Sequence, residues 1–195
     1  MGKDYGDFME KEFSSPIDLK GVSTGGQLVH YLALEYPQLI RKMVIIAAAY
    51  KLGPIGIETE KKCLDYFQDG KLGKAMGAIM ESVLKPGLKR TLVMPFIKTF
   101  GKIMFGKIEY PNDFANEIRA DKEMNFLDRL HEIKVQTLIL CGKNDVFYDY
   151  KDVKSAAEKI SNANHIIYDK YGHNLMMSNK KQVNRDILEF LNEDT

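Results

Sequence analysis

A chain of 195 residues with 45% hydrophobic and 28% charged residues is long enough to bury a genuine core and reads as one globular domain. Its net charge of +1, with Lys and Arg scattered, points away from nucleic acid and anionic membrane as partners. The polar start, residues 1–13, carries no secretory signal, and no segment has the apolar length of a membrane span. Two cysteines in different kinds of segment, Cys63 and Cys141, argue against a disulfide framework and for a reduced, cytoplasmic setting. Four histidines and these cysteines show no metal-ligand spacing, so no metal site is expected.

In chain order, Asp4 to Phe13 predicts a short amphipathic helix with Phe8, Met9 and Phe13 as apolar contacts. Ile17 to Lys20 predicts a strand, followed by a tight turn over Gly21–Gly26 and an apolar helix ending near Tyr36. That helix is apolar almost all round, as a buried helix is, and Pro37 ends it. Met43 to Ala48 is a continuous apolar run of central-strand type. The pattern returns near the far end: a strand at 135–141, a helix at 152–160, a strand at 165–168 and a closing helix at 181–191. Four parallel strands with helical crossovers make an α/β sheet.

Tyr50 to about Leu130 differs in texture. Helical stretches are expected at 58–69, 72–84, 88–105 and 114–124, punctuated by Gly70, Pro86-Gly87 and Pro111. Met76, Met80, Met94, Met104 and Met124 cluster here with Phe96, Phe100 and Phe105, the composition of a satellite helical core. The division expected is therefore a core of residues 1–49 and 131–195 and an inserted helical cap of residues 50–130. The soft inner face of such a cap would receive an apolar part of a substrate.

Gly21-Val22-Ser23-Thr24-Gly25 stands between a strand and a helix, the spacing of a nucleophile elbow. A sharp strand-to-helix turn strains its central residue and crowds the positions two before and two after, so both are expected to need glycine. Gly26 then lets the helix lie close to the sheet. The bland alternative is a Gly-rich loop whose serine N-caps the helix. A serine nucleophile needs a base and the base an orienting acid. His30 lies inside the buried helix, satisfied there; His131 and His165 sit at a helix end and a strand start. His173 follows Gly172 in a loop past a strand, at the carboxyl edge where catalytic groups of open α/β sheets gather. Asp145, closing a Gly-Lys-Asn-Asp turn past the carboxyl end of another strand, is the leading acid. Asp149 and Asp169 are weaker candidates.

Ser23, Asp145 and His173 each follow a separate strand, in that order, and this arrangement with an elbow at the serine resembles the α/β-hydrolase superfamily. The resemblance runs from about Ile17 to the end of the chain. It implies a carboxylesterase or lipase-like serine hydrolase in which Ser23 attacks, His173 takes the proton, Asp145 holds the imidazole and the Thr24 N–H binds the oxyanion. It implies no cofactor, and a small ester with an apolar part as substrate. Members of that superfamily usually carry strands before the elbow strand, with a second oxyanion donor in the loop after one of them. Only sixteen residues precede Ile17, so the Ser23 strand is expected at an open edge, with three competing explanations: a truncated product, a fragment of a longer protein, or a subunit completed by a second copy or a partner chain. The rival expectation is a hydrolase-like binding or assembly module with impaired catalysis.

Overall fold

The computed structural model describes residues 2–84, 87–105 and 111–193. The chain divides into two compact units, one of residues 1–52 and 124–195 and one of residues 53–123.

The first unit is an α/β layer structure. Helix α1 (Gly2–Glu12) leads to β1 (Ile17–Val22), α2 (Thr24–Glu35) and β2 (Ile40–Ile46). The chain returns to this unit through a 3-10 turn at Leu130–Glu132, then β3 (Gln136–Gly142), helix αA (Tyr150–Lys159), β4 (Ala163–Tyr168), the single turn αB (Leu175–Ser178) and helix αC (Lys180–Asn192). All four strands are parallel, in the spatial order β1-β2-β3-β4. Their register aligns Val22 with Ile46, Ile46 with Leu140 and Gly142 with Tyr168, so the carboxyl ends of the strands form one rim. Sequential order with every strand parallel follows from helical crossovers, which return the chain to the same end of the sheet each time.

Side-chain alternation divides the core between the two faces of the sheet. Val44, Ile46, Leu138 and Leu140 pack with Val183, Ile187 and Phe190 of αC. On the other face, α2 lies so close that a Cβ on Gly26 would come within 2.6 Å of the Ala48 Cβ and 3.1 Å of the Ile45 Cγ2. β2 also carries a fully buried lysine. Lys42 Nζ donates to the carbonyls of Phe190 and Glu193 at 3.0 and 2.6 Å, so a cation sits on the carboxyl end of αC, where the helix dipole and unpaired carbonyls favour it.

The second unit holds α3 (Pro54–Gln68), α4 (Leu72–Val83), α5 (Leu88–Phe105) and α6 (Pro111–Glu123). Pro54 and Pro111 stand at helix starts, where a missing N–H costs nothing. The expected breaker Pro86 lies outside the described residues, as do the side chains of Met104 and Phe105. The satellite core is made of Cys63, Ala75 and Ile118 with Leu64, Phe67 and Ile79 packed against it. Phe96 and Phe100 were expected in that core and are not there: their rings pack on each other at 4.8 Å and are 54% and 43% exposed. The reason lies in how α5 meets α4. A Cβ on Gly73 would come within 2.6 Å of the Lys98 carbonyl oxygen, and one on Gly77 within 2.8 Å of the Lys98 side chain. Close backbone approach leaves the inner surface of α5 to Met94 and Ile97, both buried, and turns the phenylalanines outward.

Candidate active site

The elbow is tighter than the six-residue turn expected from sequence. β1 runs to Val22 and α2 starts at Thr24, leaving Ser23 as the only residue between them. Ser23 takes φ 55° and ψ −127°, a conformation that costs a non-glycine residue about 1–3 kcal/mol and collects at functional sites. The surroundings hold it there. Its N–H donates to the Ile46 carbonyl at 2.9 Å, and its own carbonyl accepts from Gly26 N–H at 2.7 Å.

Of the two glycines expected to be required, the structure needs one. A Cβ on Gly21 would sit 2.1 Å from the Gly25 carbonyl oxygen, which no side chain tolerates. A Cβ on Gly25 would meet nothing within 4 Å. The crowding is therefore one-sided: the first turn of α2 presses its backbone onto β1, and the strand position must yield. Ser23 occupies the N-cap position without capping, since its side chain makes no cap hydrogen bond. Its hydroxyl lies instead 3.0 Å from His173 Nε2.

His173 Nδ1 in turn lies 3.1 and 3.0 Å from the two carboxylate oxygens of Asp145. The Asp145 side chain is fully buried and that of His173 is 15% exposed, so the pair interacts largely out of water. An acceptor at Nδ1 selects the tautomer that leaves Nε2 free to accept the hydroxyl proton. Two residues that sequence reasoning missed complete the arrangement. The N–H groups of Phe147 and Tyr148 donate to Asp145 Oδ1 at 2.8 and 3.1 Å. Their rings lie 4.6 and 5.9 Å from the imidazole, hindering its rotation. The signal available was the Asp itself, which bonds to backbone N–H groups two and three residues on, as aspartate in a turn does.

Two further glycines bring the acid turn and the histidine loop together. A Cβ on Gly142 would lie 2.5 Å from the Tyr171 carbonyl, and one on Gly172 would lie 2.9 Å from the Asn144 oxygen. Asn144 N–H donates to the Tyr171 carbonyl at 2.9 Å across the same contact.

The remaining candidates are engaged elsewhere. Asp149 N-caps αA by accepting from Lys151 N–H, and Asp169 is exposed and paired with Lys143. His131 and His165 are exposed. His30 is fully buried and only half satisfied: Nδ1 lies 3.0 Å from the Gly26 carbonyl, while Nε2 has no partner among the described residues. Burial pushes its pKa down to about 4, so it is a neutral core group. Both cysteines are buried and free, and burial pushes the Cys63 thiol up to about 12. Among the described residues no group of three or more His, Cys, Asp or Glu converges as a metal site, and no helix is long and apolar enough to cross a membrane.

A hydroxyl, an imidazole and a carboxylate in series at the rim of a parallel sheet can move a proton away from the hydroxyl oxygen as it attacks an electrophile. Comparison with known proteins agrees with the fold. A 2-hydroxy-6-oxononadienedioate/2-hydroxy-6-oxononatrienedioate hydrolase of Burkholderia vietnamiensis is 24% identical over 179 residues, covering 89% of this chain and 61% of that protein. The chain thus spans about three-fifths of that relative's length. An α/β hydrolase enzyme from a Medee basin deep-sea metagenome superposes with a TM-score of 0.85 at 17% identity, covering 100% of this chain and 71% of the other. The enol-lactonase of Burkholderia xenovorans gives a TM-score of 0.80 at 16% identity, covering 98% of this chain and 72% of the other. The model of the α/β hydrolase fold matches residues 9–180, and the chain belongs to that family.

Proposed function

We propose that the chain is a serine hydrolase that cleaves a carboxylic ester through an acyl-enzyme. The observation that carries this reading is the Ser23 hydroxyl 3.0 Å from His173 Nε2, with the opposite ring nitrogen on the buried Asp145 carboxylate. Ser23 Oγ attacks the carbonyl carbon while its proton passes to His173 Nε2. The imidazolium is stabilised by Asp145 and gives that proton to the departing alcohol oxygen. A water molecule then attacks the acyl carbon, loses its proton to His173 and releases the acid, with the proton returned to Ser23. The N–H of Thr24, at the first position of α2, is assigned to the oxyanion, since a helix N-terminus presents donors and a favourable dipole. The relatives support carbonyl chemistry in general: one is named an enol-lactonase, and a lactone is a cyclic ester. The helices of residues 53–123 are assigned the selection of the acyl part, the role of a cap.

Stopped-flow hydrolysis of p-nitrophenyl acetate tests the reading. A burst of nitrophenol approaching one equivalent, followed by slower turnover, is expected from an accumulating acyl-enzyme. A well-folded sample with no burst and no turnover above buffer, on acetate or butyrate esters, would favour a binding module built on the same fold.

A further inference from the structure

Within the helical unit of residues 53–123, α3, α4 and α5 line a solvent-open cavity of about 480 Å³ that the proposed chemistry does not use. Its lining is rich in cations, with three lysines (Lys62, Lys74 and Lys98) and one acid (Glu81) beside the Tyr66 phenol, the hydroxyls of Thr59 and Ser82, and Ala78. The hydroxyls are bonded to each other at 2.9 Å, and Thr59 is only 6% exposed, so the floor is a fixed polar surface. Glu81, the one acid in the lining, is already neutralised. It accepts from Arg90 at 3.0 Å and Lys98 at 3.2 Å, which holds its carboxyl below the usual range. Lys62 is paired with Glu58 at 2.7 Å. Lys74 has no carboxylate within ion-pair distance among the described residues; its ammonium stands 6.0 Å from the centre of the Tyr66 ring. Four cationic side chains thus face two carboxylates in and beside the cavity, an excess of two positive charges.

The backbone builds this arrangement. Gly73 and Gly77 let the stem of Lys98 lie across α4, which delivers its ammonium beside Glu81 and within the cavity. Ammonium groups converging over a polar floor recognise an anion with several oxygens, because each lysine can donate to an oxygen; the hydroxyl protons of the floor are already committed, Thr59 to Ser82 and Ser82 to the Ala78 carbonyl. We propose that this cavity is a binding site for a small organic dianion, of the phosphate-monoester or dicarboxylate kind, separate from the serine chemistry.

Isothermal titration of the full chain with inorganic phosphate and with succinate, at constant ionic strength, tests this. Saturable one-to-one binding is expected, and binding of phosphate alone or succinate alone identifies which anion class the site takes. The Lys62→Ala/Lys74→Ala variant should lose at least about tenfold in affinity, since each removed ammonium takes away a charge-assisted bond. Lys154→Ala, which removes another lysine standing 6.0 Å from a tyrosine ring, should bind as the parent does. Melting temperatures of the variants, and Lys74→Gln should the double variant melt early, separate lost binding from lost folding. No saturable heat with either anion, or equal affinity in the folded double variant, would overturn the proposal.

Discussion

At the elbow the crowding is between near neighbours in sequence: Gly21 must be glycine because the backbone of Gly25 and Gly26 folds back onto it. At the junction of the acid turn and the histidine loop, the crowding is between segments separated by αA and β4, Gly142 meeting Tyr171 and Gly172 meeting Asn144. The first contact is closed by one turn of chain and stores its strain in Ser23 itself, at φ 55°. The second needs a long loop to close and spreads its constraint over backbone hydrogen bonds and the rings of Phe147 and Tyr148. The nucleophile is therefore presented by local geometry, and the base and acid by tertiary structure. Damage to the two should differ accordingly.

The largest expected effect is at the elbow. Ser23→Ala should cost roughly a millionfold in ester turnover, as loss of a nucleophile does, with folding intact by circular dichroism. Asp145→Asn should cost about 10⁴ in kcat, because an amide at that position favours the wrong imidazole tautomer.

A third prediction concerns the polar group beneath the elbow. His30 is buried with its pKa lowered from 6.5 to about 4, so the unfolded chain binds a proton that the folded chain refuses between those values. The sign follows directly: this contribution leaves stability whole above pH 6.5 and removes it as pH falls towards 4, by about 3 kcal/mol in total. Urea melts at pH 7 and pH 4.5 should show most of that loss in the parent and a smaller one in His30→Phe.

The smallest effects sharpen the comparison within the elbow. Gly21→Ala should destabilise by about 1–3 kcal/mol and lower kcat, because the new methyl group strikes backbone that can move only by displacing Ser23. Gly25→Ala meets open space near a helix start and should lie within about 0.5 kcal/mol of the parent in thermal melts. Equal costs at the two positions would remove the one-sided crowding described for the turn.

The elbow was legible in the sequence because its determinants are contiguous, and the central strands because β2 from Met43 and β3 from Leu138 run on in apolar residues, as strands buried on both faces do. Asp145 and His173 could be named because each follows a strand end and parallel strands bring those ends to one rim. What could not be read was anything depending on which backbone touches which. Gly142 and Gly172 looked like ordinary turn glycines, and Gly25 looked indispensable. The half-satisfied His30 looked satisfied, since an orphan ring nitrogen has no signature in composition. Phe96 and Phe100 looked like core because apolar residues usually are, and only the Gly73 and Gly77 contacts explain why α5 presents them outward.

Treatment of the full chain with a fluorophosphonate, followed by intact mass and peptide mapping, most directly tests whether position 23 is nucleophilic. One adduct on the peptide carrying Ser23, absent from Ser23→Ala and strongly slowed in Asp145→Asn, is the predicted result. A folded chain that stays unlabelled, or an adduct at another residue, would contradict it.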